Sequence, residues 1–564
     1  MIKISDKTQC CGCSSCAETC PVNCIKMVED NEGFLFPQVD TSACINCGAC
    51  EKVCPIIQAD CVDAGEIAGV FEQPKTIGGW IKDDSIRADS SSGGAFSLFA
   101  NYILENKGIV FGASLCEDMV VRHIFVEKPE DLTKLRGSKH SQSVIGNIYS
   151  QVKKSLDDGR LVLFSGTPCQ AAGLCSYLGN RKYDNLYVID FICHGIPSPK
   201  VFASYIAYME DKVKDKIVGF KFRSKDKKWH PMGLSFGDGT IIKTASGNTV
   251  RQSPGLKDPY MMGFLDDTIL RDSCYECRFK VVPKYYSDFT IADFWGVNKS
   301  YPELFDGKGT SLVFLNSERG YELFKKLKDY FFYKEVDYNK VSKRNPSLTT
   351  SVKKNSRRKS FFRDFEKKPF SKLIWRYMSP FSWFIHKSLG TSWKIIQGII
   401  RVVVGRGLKI LHITWSEENW NSFFQFVKFA MIGVSNVAVS YTINVSTLLL
   451  QRVIVPGFHF DYIVANVTAF LLSVLWSFHW NSRKVFGVND SFSAKFKALM
   501  KSYMSYAFTG LILNNLMSTF WIHVVGVSKF ISPLLNLPIS MPVNFFILKK
   551  WAFRKEKKVS DGDK

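Results

Sequence analysis

The spacing Cys10, Cys13, Cys16, Cys20, Pro21 reads C-x2-C-x2-C-x3-C-P, and it recurs at Cys44, Cys47, Cys50, Cys54 and Pro55. Nothing else in the 564 residues limits the fold so tightly. Three thiolates at intervals of three wrap a tight loop around one corner of a cubane, and the fourth, carried past it by a helical turn, serves the cluster of the other run. The spacing therefore predicts one 4Fe-4S cluster on Cys10, Cys13, Cys16 and Cys54, and a second on Cys44, Cys47, Cys50 and Cys20. Paired zinc ribbons need only C-x2-C pairs and leave the third cysteine and the Cys-Pro unexplained. Cys11 and Cys24 are surplus and read as packing residues. The business of such a segment is one-electron traffic.

The chain is too long for one core, and about three or four domains are expected. All seventeen cysteines lie at or before Cys277, and the first twenty residues carry no apolar signal segment. A reduced, cytosolic setting is therefore expected for this part, not a secreted disulfide framework. The net charge of +22 would suggest nucleic acid if it covered a folded surface. It is concentrated instead: fifteen Lys or Arg stand between Lys353 and Lys409 against only Asp364 and Glu366, beside Trp375, Phe381, Trp383, Phe384 and Trp393. Basic residues interleaved with aromatics, ahead of hydrophobic spans, fit an anionic membrane surface; no nucleic-acid partner is expected.

Residues 1–62 closely resemble bacterial two-cluster ferredoxins. Beyond them, short apolar runs such as "GIVFGASL", "RLVLFSGTPCQ", "NLYVIDFICHG" and "DFTIADFWG" alternate with helical segments at Ala95 to Glu105 and Lys200 to Tyr208, which predicts an α/β domain. "SSSGGAF" at 90–96 precedes a helix, so its glycines let backbone N–H groups approach an anion. "GTPCQ" and "CHGIP" each put one cysteine directly after a β-like run, and "CYEC" supplies Cys274 and Cys277. Four such cysteines are enough for one further four-thiolate site.

Together with "LRGSKHSQS", "FRSKDKKWHPMG" and "RDSCYECRF", these motifs make residues 75–345 similar to the beta subunits of coenzyme F-420-reducing hydrogenases and dehydrogenases. That resemblance implies FAD and a 4Fe-4S cluster. It assigns the cluster to Cys169, Cys193, Cys274 and Cys277, and offers Ser92, Gly93, Gly94, Lys139 and Thr167 as flavin contacts. His194 and Asp293 fall in family-like motifs and are candidate catalytic proton donors, while a hydrogen-bonded loop His and a turn Asp are the plainer readings.

After a basic, aromatic surface linker at 346–422, four apolar spans are expected at about 426–450, 461–480, 503–525 and 531–548. Pro533, Pro538 and Pro542 make the last the least regular as a helix. Lys and Arg concentrate in the loop between spans two and three and in the tail, which places both ends and the cysteines in the cytosol. "SFHWNSRKVF" at 477–486 is echoed by "NFFILKKWAF" at 544–553, as in a duplicated hairpin. With "FVKFAMIGVSN" at its start, the segment 423–556 resembles the GtrA-like family, four-helix membrane proteins associated with cell-surface polysaccharide synthesis and with moving polyprenyl-phosphate-linked sugars. Asn436, Asn444, Asn466, Asn514, Asn515 and Asn544 could line a polar path or serve as interhelical hydrogen-bond glue.

The expected architecture is thus a ferredoxin-like two-cluster domain, an α/β flavoprotein domain and an all-α transmembrane domain. The leading expectation is an integral membrane oxidoreductase. It would take electrons from a low-potential donor of ferredoxin or deazaflavin type, pass them through 4Fe-4S clusters and FAD, and reduce an organic acceptor in polysaccharide or lipid-linked sugar metabolism. The alternatives are a lipid-linked sugar translocator with a redox-sensing domain, and a non-catalytic electron-transfer subunit.

Overall fold

A computed structural model describes residues 1–58, 69–225, 239–251, 258–284, 286–379, 401, 404, 415–454, 461–486, 492–526 and 532–553. The chain divides into two compact units, Met1–Leu389 and Gly390–Lys564.

The first unit opens on a small hairpin, β1 (Ile25–Glu29) antiparallel to β2 (Leu35–Val39), flanked by the two cysteine-bearing loops. Each loop ends in a single helical turn, Ser15–Glu18 or Ala49–Lys52. The loops are conformational duplicates. Gly12 and Ser14 take left-handed angles of 70° and 69°, and their counterparts thirty-four positions on, Asn46 and Gly48, take 52° and 73°.

The body of this unit is an eight-stranded sheet. Its strands are β3 (Val70–Ile81), β4 (Ile109–Leu115), β5 (Val121–Val126), β6 (Val162–Ser165), β7 (Leu186–Phe191), β11 (Phe289–Asp293), β12 (Ser311–Ser317) and β13 (Phe331–Glu335). The spatial order is β13-β3-β12-β11-β7-β6-β4-β5. The four inner strands β11, β7, β6 and β4 run parallel, and antiparallel strands close both sides. Burial explains the sequence: Val162, Leu163 and Phe164 are all fully buried, the continuous apolar run of a strand covered on both faces. A second sheet of β8 (Ile217–Ser224), β9 (Gly239–Thr244) and β10 (Thr249–Arg251) is antiparallel, ordered β10-β9-β8.

The ferredoxin-like segment is packed onto this body. Ser15 Oγ donates to the Gly173 carbonyl at 2.9 Å. A Cβ on Gly173 would stand 2.9 Å from Cys13 Cβ, so only glycine lets the helix Pro168–Tyr177 approach the first loop this closely.

Residues 346–379, expected as linker, fold into the first unit instead. The helices Arg358–Phe365 and Phe370–Tyr377 carry apolar residues on one face, and Phe361 and Leu373 are fully buried. Each such side chain contributes about 1.5–3 kcal/mol by leaving water. Arg358, 3% exposed, forms a bidentate pair with Glu32 and so ties this stretch back to the ferredoxin hairpin. Helical periodicity hidden inside the basic run is the reason: Lys359, Arg363, Lys367, Lys368, Lys372 and Arg376 project from the outer face, with Trp375 70% exposed among them. Phe381, Trp383, Phe384 and Trp393 lie outside the described residues.

The described residues of the second unit are mainly helical, at Glu417–Ile454, Asp461–Trp480, Phe492–Ala507, Asn514–His523 and Ser532–Ile547. Among these residues one helix, Glu418–Gln451, is long and apolar enough to cross a membrane. The last helix runs through Pro538 and Pro542. The sequence echo has a structural counterpart: π-helical turns occupy Asn481–Val485 and Leu548–Ala552, sixty-seven positions apart. Phe486 stacks on Phe553 at 4.6 Å. The crossed pairs Phe486–Phe545 and Phe478–Phe553 stack at 6.0 and 5.7 Å, as a pseudo-two-fold between duplicated hairpins requires. Asn544 Oδ1 accepts from Ser505 and Thr509, the hydrogen-bond glue reading. The side chains of Asn466, Asn514 and Asn515 lie outside the described residues.

Candidate functional site

The two cysteine loops enclose two small cavities. One is lined by Cys10, Cys13, Cys16 and Cys54, with Cys11 beside them. The other is lined by Cys20, Cys44, Cys47 and Cys50, with Cys24 beside them. The exchange of the fourth cysteine between runs is thus how the thiols are grouped. The Ile2 backbone N–H donates to Cys50 Sγ at 3.3 Å, the kind of bond that stabilises a cluster-bound thiolate. Cys24 lies 3.4 Å from Cys20, sulfur to sulfur. Among the described residues no three His, Cys, Asp or Glu side chains gather closely enough to share one metal ion. In a cubane each thiolate holds a different iron, so the sulfurs stand apart around the cluster.

The third set of thiols is built at the carboxyl ends of parallel strands, where open α/β sheets present their ligands. Cys169 follows β6 and Cys193 follows β7, while Cys274 and Cys277 come from the turn Asp272–Glu276 and its end. All four line one cavity with Lys280 and Lys284. Cys274 Sγ accepts from the Ile196 N–H at 3.3 Å, and Thr167 Oγ1 lies 3.1 Å from Cys169 Sγ. Lys284 pairs with the fully buried Asp190 at 3.2 Å.

The same four cysteines, with Cys11, form part of the wall of a larger cavity of about 620 Å³. That volume is in the ~300–1,000 Å³ range of small-molecule and cofactor sites. The rest of its wall includes Ser90–Ser92, Gly94, Lys139, Thr167, His194 and Asp293. Gly94 is the left-handed N-cap of the helix Ala95–Glu105, and no side chain caps it, so the first N–H groups of that helix remain available to an anion. Gly93 is not on the wall; its N–H donates to Ser311 Oγ, and a Cβ there would meet the Gly79 carbonyl at 2.4 Å. Ser92 Oγ donates to the Thr310 carbonyl. Thr167 caps the helix Pro168–Tyr177 in a capping box with Gln170.

Two wall residues carry buried ring nitrogens with no hydrogen-bond partner among the described residues, His123 Nδ1 and His140 Nε2. Burial holds His123 down to about 4 and His140 to about 3, so both rings are neutral; His123 Nε2 donates to the Ser165 carbonyl, which leaves its Nδ1 as an acceptor. Orphaned polar atoms, an uncapped helix N-terminus and a roomy cavity fit a polar, anionic cofactor of the FAD type. His194 Nε2 bonds Asp267 Oδ1 at 2.7 Å, and Asp293 pairs with Arg223 at 2.6 Å. Both candidate proton donors therefore also have a structural partner.

Lys139 Nζ donates to the carbonyls of Leu135 and Arg136, and burial pushes its ammonium down to about 7. An anion in this cavity pairs with the charged form only, so affinity is expected to fall as pH rises above about 7. Equilibrium dialysis of flavin across that range checks this, and Lys139→Met should bind more weakly with the pH dependence removed.

Sequence reasoning missed His123, Arg136, Gln142, Arg223 and Arg271 on the wall. Gln142 lies inside "LRGSKHSQS" and Arg271 opens "RDSCYECRF", but a motif does not show which of its side chains face inward.

Comparison with known proteins agrees with this layout. Residues 9–56 match the profile of a 4Fe-4S dicluster domain. Residues 76–148 and 159–340 match the N- and C-terminal parts of the coenzyme F-420 hydrogenase/dehydrogenase beta subunit. Residues 428–553 match the GtrA/DPMS transmembrane domain. The chain is therefore an iron–sulfur electron-transfer protein whose beta-subunit-like portion is fused to a GtrA-like membrane domain. A chain of the F-420-reducing NiFe hydrogenase complex from Methanosarcina barkeri is similar at 16% identity and a TM-score of 0.34, covering 51% of this chain and 91% of that one. No curated protein matches the chain.

Proposed function

We propose that this protein is a membrane-anchored iron–sulfur flavoprotein oxidoreductase with three 4Fe-4S clusters and one FAD. Electrons enter from a low-potential donor of ferredoxin or deazaflavin type and leave to an organic acceptor, a polyprenyl-phosphate-linked sugar or related glycan precursor. The observation that carries this reading is the shared wall: Cys169, Cys193, Cys274 and Cys277 border the same cavity as Ser90, Ser91, Ser92 and Gly94. A bound flavin supplies the conversion between single-electron exchange with clusters and two-electron exchange with an organic substrate. The chain's own residues do the rest. The uncapped helix at Ala95 takes the cofactor's phosphates, and Asp267 holds His194 at the cavity so that a ring nitrogen can hand a proton to the reduced acceptor. The GtrA/DPMS match supports a membrane setting and a lipid-borne acceptor.

The test is to purify the protein anaerobically, reduce it with dithionite and add acceptors while following the flavin absorbance. Reoxidation by a lipid-linked sugar is the expected outcome. Clusters without flavin would replace this reading with a non-catalytic electron-transfer subunit. Flavin that no organic acceptor reoxidises would remove the enzymatic reading.

A further inference from the structure

Arg271 is 1% exposed and is the bulkiest of the fully buried side chains among the described residues. Its guanidinium reaches out of the Cys274 loop into the ferredoxin segment. Nε donates to the Cys10 carbonyl at 2.9 Å, Nη2 donates to the Leu35 carbonyl at 2.9 Å and to Cys10 Sγ at 3.5 Å, and Nη1 donates to Gln142 Oε1 at 3.1 Å. The Phe36 ring lies 4.2 Å beneath it. Among the described residues no carboxylate pairs with this cation. A buried charge without a counter-ion is costly, so the negative charge that balances it must come from a group at the same place. The thiolates of a cubane are that group: Cys10 touches the guanidinium, and Cys274 follows it by three residues.

We propose that Arg271 is a positioning residue that raises the reduction potential of the cluster on Cys10, Cys13, Cys16 and Cys54 and locks that cluster against the third thiolate site. The inference rests on the iron–sulfur part of the proposed function. With both clusters bound, transfer of one electron from the site of Cys20, Cys44, Cys47 and Cys50 would add one negative charge beside Cys10, with no bond made or broken. A fixed cation in contact stabilises the more negative, reduced form, and so raises the potential. The Cys20 cluster has Cys47 exposed at its edge and receives a backbone N–H at Cys50, with no arginine or lysine bonded to its sulfurs among the described residues. It serves as the internal control.

The test uses the full chain, purified anaerobically in detergent, as wild type, Arg271→Met, Arg271→Gln and Arg271→Lys. Iron and sulfide content is measured first, then midpoint potentials by EPR-monitored titration, with signals assigned from Cys47→Ser and Cys274→Ser. Absence of iron from the wild type would refute the iron–sulfur reading itself, before any variant is compared. The neutral variants are expected to shift the Cys10 cluster downward most, the third cluster less and the Cys20 cluster not at all, while Arg271→Lys recovers most of the shift. Loss of one cluster in both neutral variants, with retention in Arg271→Lys, also supports the requirement for charge. Full iron with unmoved potentials, equal shifts in all clusters, or an Arg271→Lys variant that shifts or loses the cluster like the neutral ones would overturn the proposal.

Discussion

Replacing Cys274 or Cys277 by serine is expected to lower iron from about twelve to about eight atoms per chain, leaving both ferredoxin clusters intact. The thiols at stake come from separate strand ends and a distant turn, so no single element holds this site. The serine hydroxyl is a poor ligand for iron beside a thiolate, and three cysteines retain a cubane weakly. Electrons would then stop at the ferredoxin clusters. Flavin reduction from a one-electron donor is expected to slow far more than reduction of the ferredoxin signals, which separates a broken path from a lost fold. Unchanged iron in both variants would exclude these cysteines as ligands.

The second large effect is expected on cutting the chain between its units. A lipid-borne acceptor meets a tethered enzyme at an effective concentration of order millimolar, and losing such a link typically costs about 10²–10⁴ in apparent affinity. A protease site inserted at residues 381–400 is therefore expected to abolish turnover of a lipid-linked sugar after cleavage while leaving reduction of a water-soluble dye unchanged. Placing the cut there matters. A break at residue 345 would strip away Arg358, Phe361 and Leu373, which are buried in the first unit, and would lower both activities by unfolding. Equal loss on both acceptors after the later cut would remove the support for a membrane-held substrate.

These expectations stand on features of unequal legibility. The ferredoxin segment is readable as far as the grouping of its cysteines because its pattern is local: each cysteine sits three or four positions from the next, and the loop conformation repeats with the spacing. The α/β region was readable as to class, since buried parallel strands leave continuous apolar runs. Its site was only partly readable. Gly93 shares a Ser-Gly motif with Ser92 and Gly94, yet it faces Ser311 and Gly79, because neighbouring residues at a turn point in different directions. Arg271, in the turn before Cys274, is set by a backbone bond to Ile196, and His123 reaches Ser165 across the sheet; these are long-range contacts that spacing does not encode. The basic stretch misled for a different reason. Charge dominates its composition and suggests a membrane-surface linker, which hides the stripe of Phe361, Phe362, Leu373 and Tyr377 that packs into the core.

On the proposed function, one chain holds a continuous path from ferredoxin clusters to a flavin. The most direct measurement of it is iron, acid-labile sulfide and FAD determined on the same anaerobically purified sample. About twelve iron, about twelve sulfide and about one FAD per chain is the predicted result; about eight iron with no flavin would contradict the account.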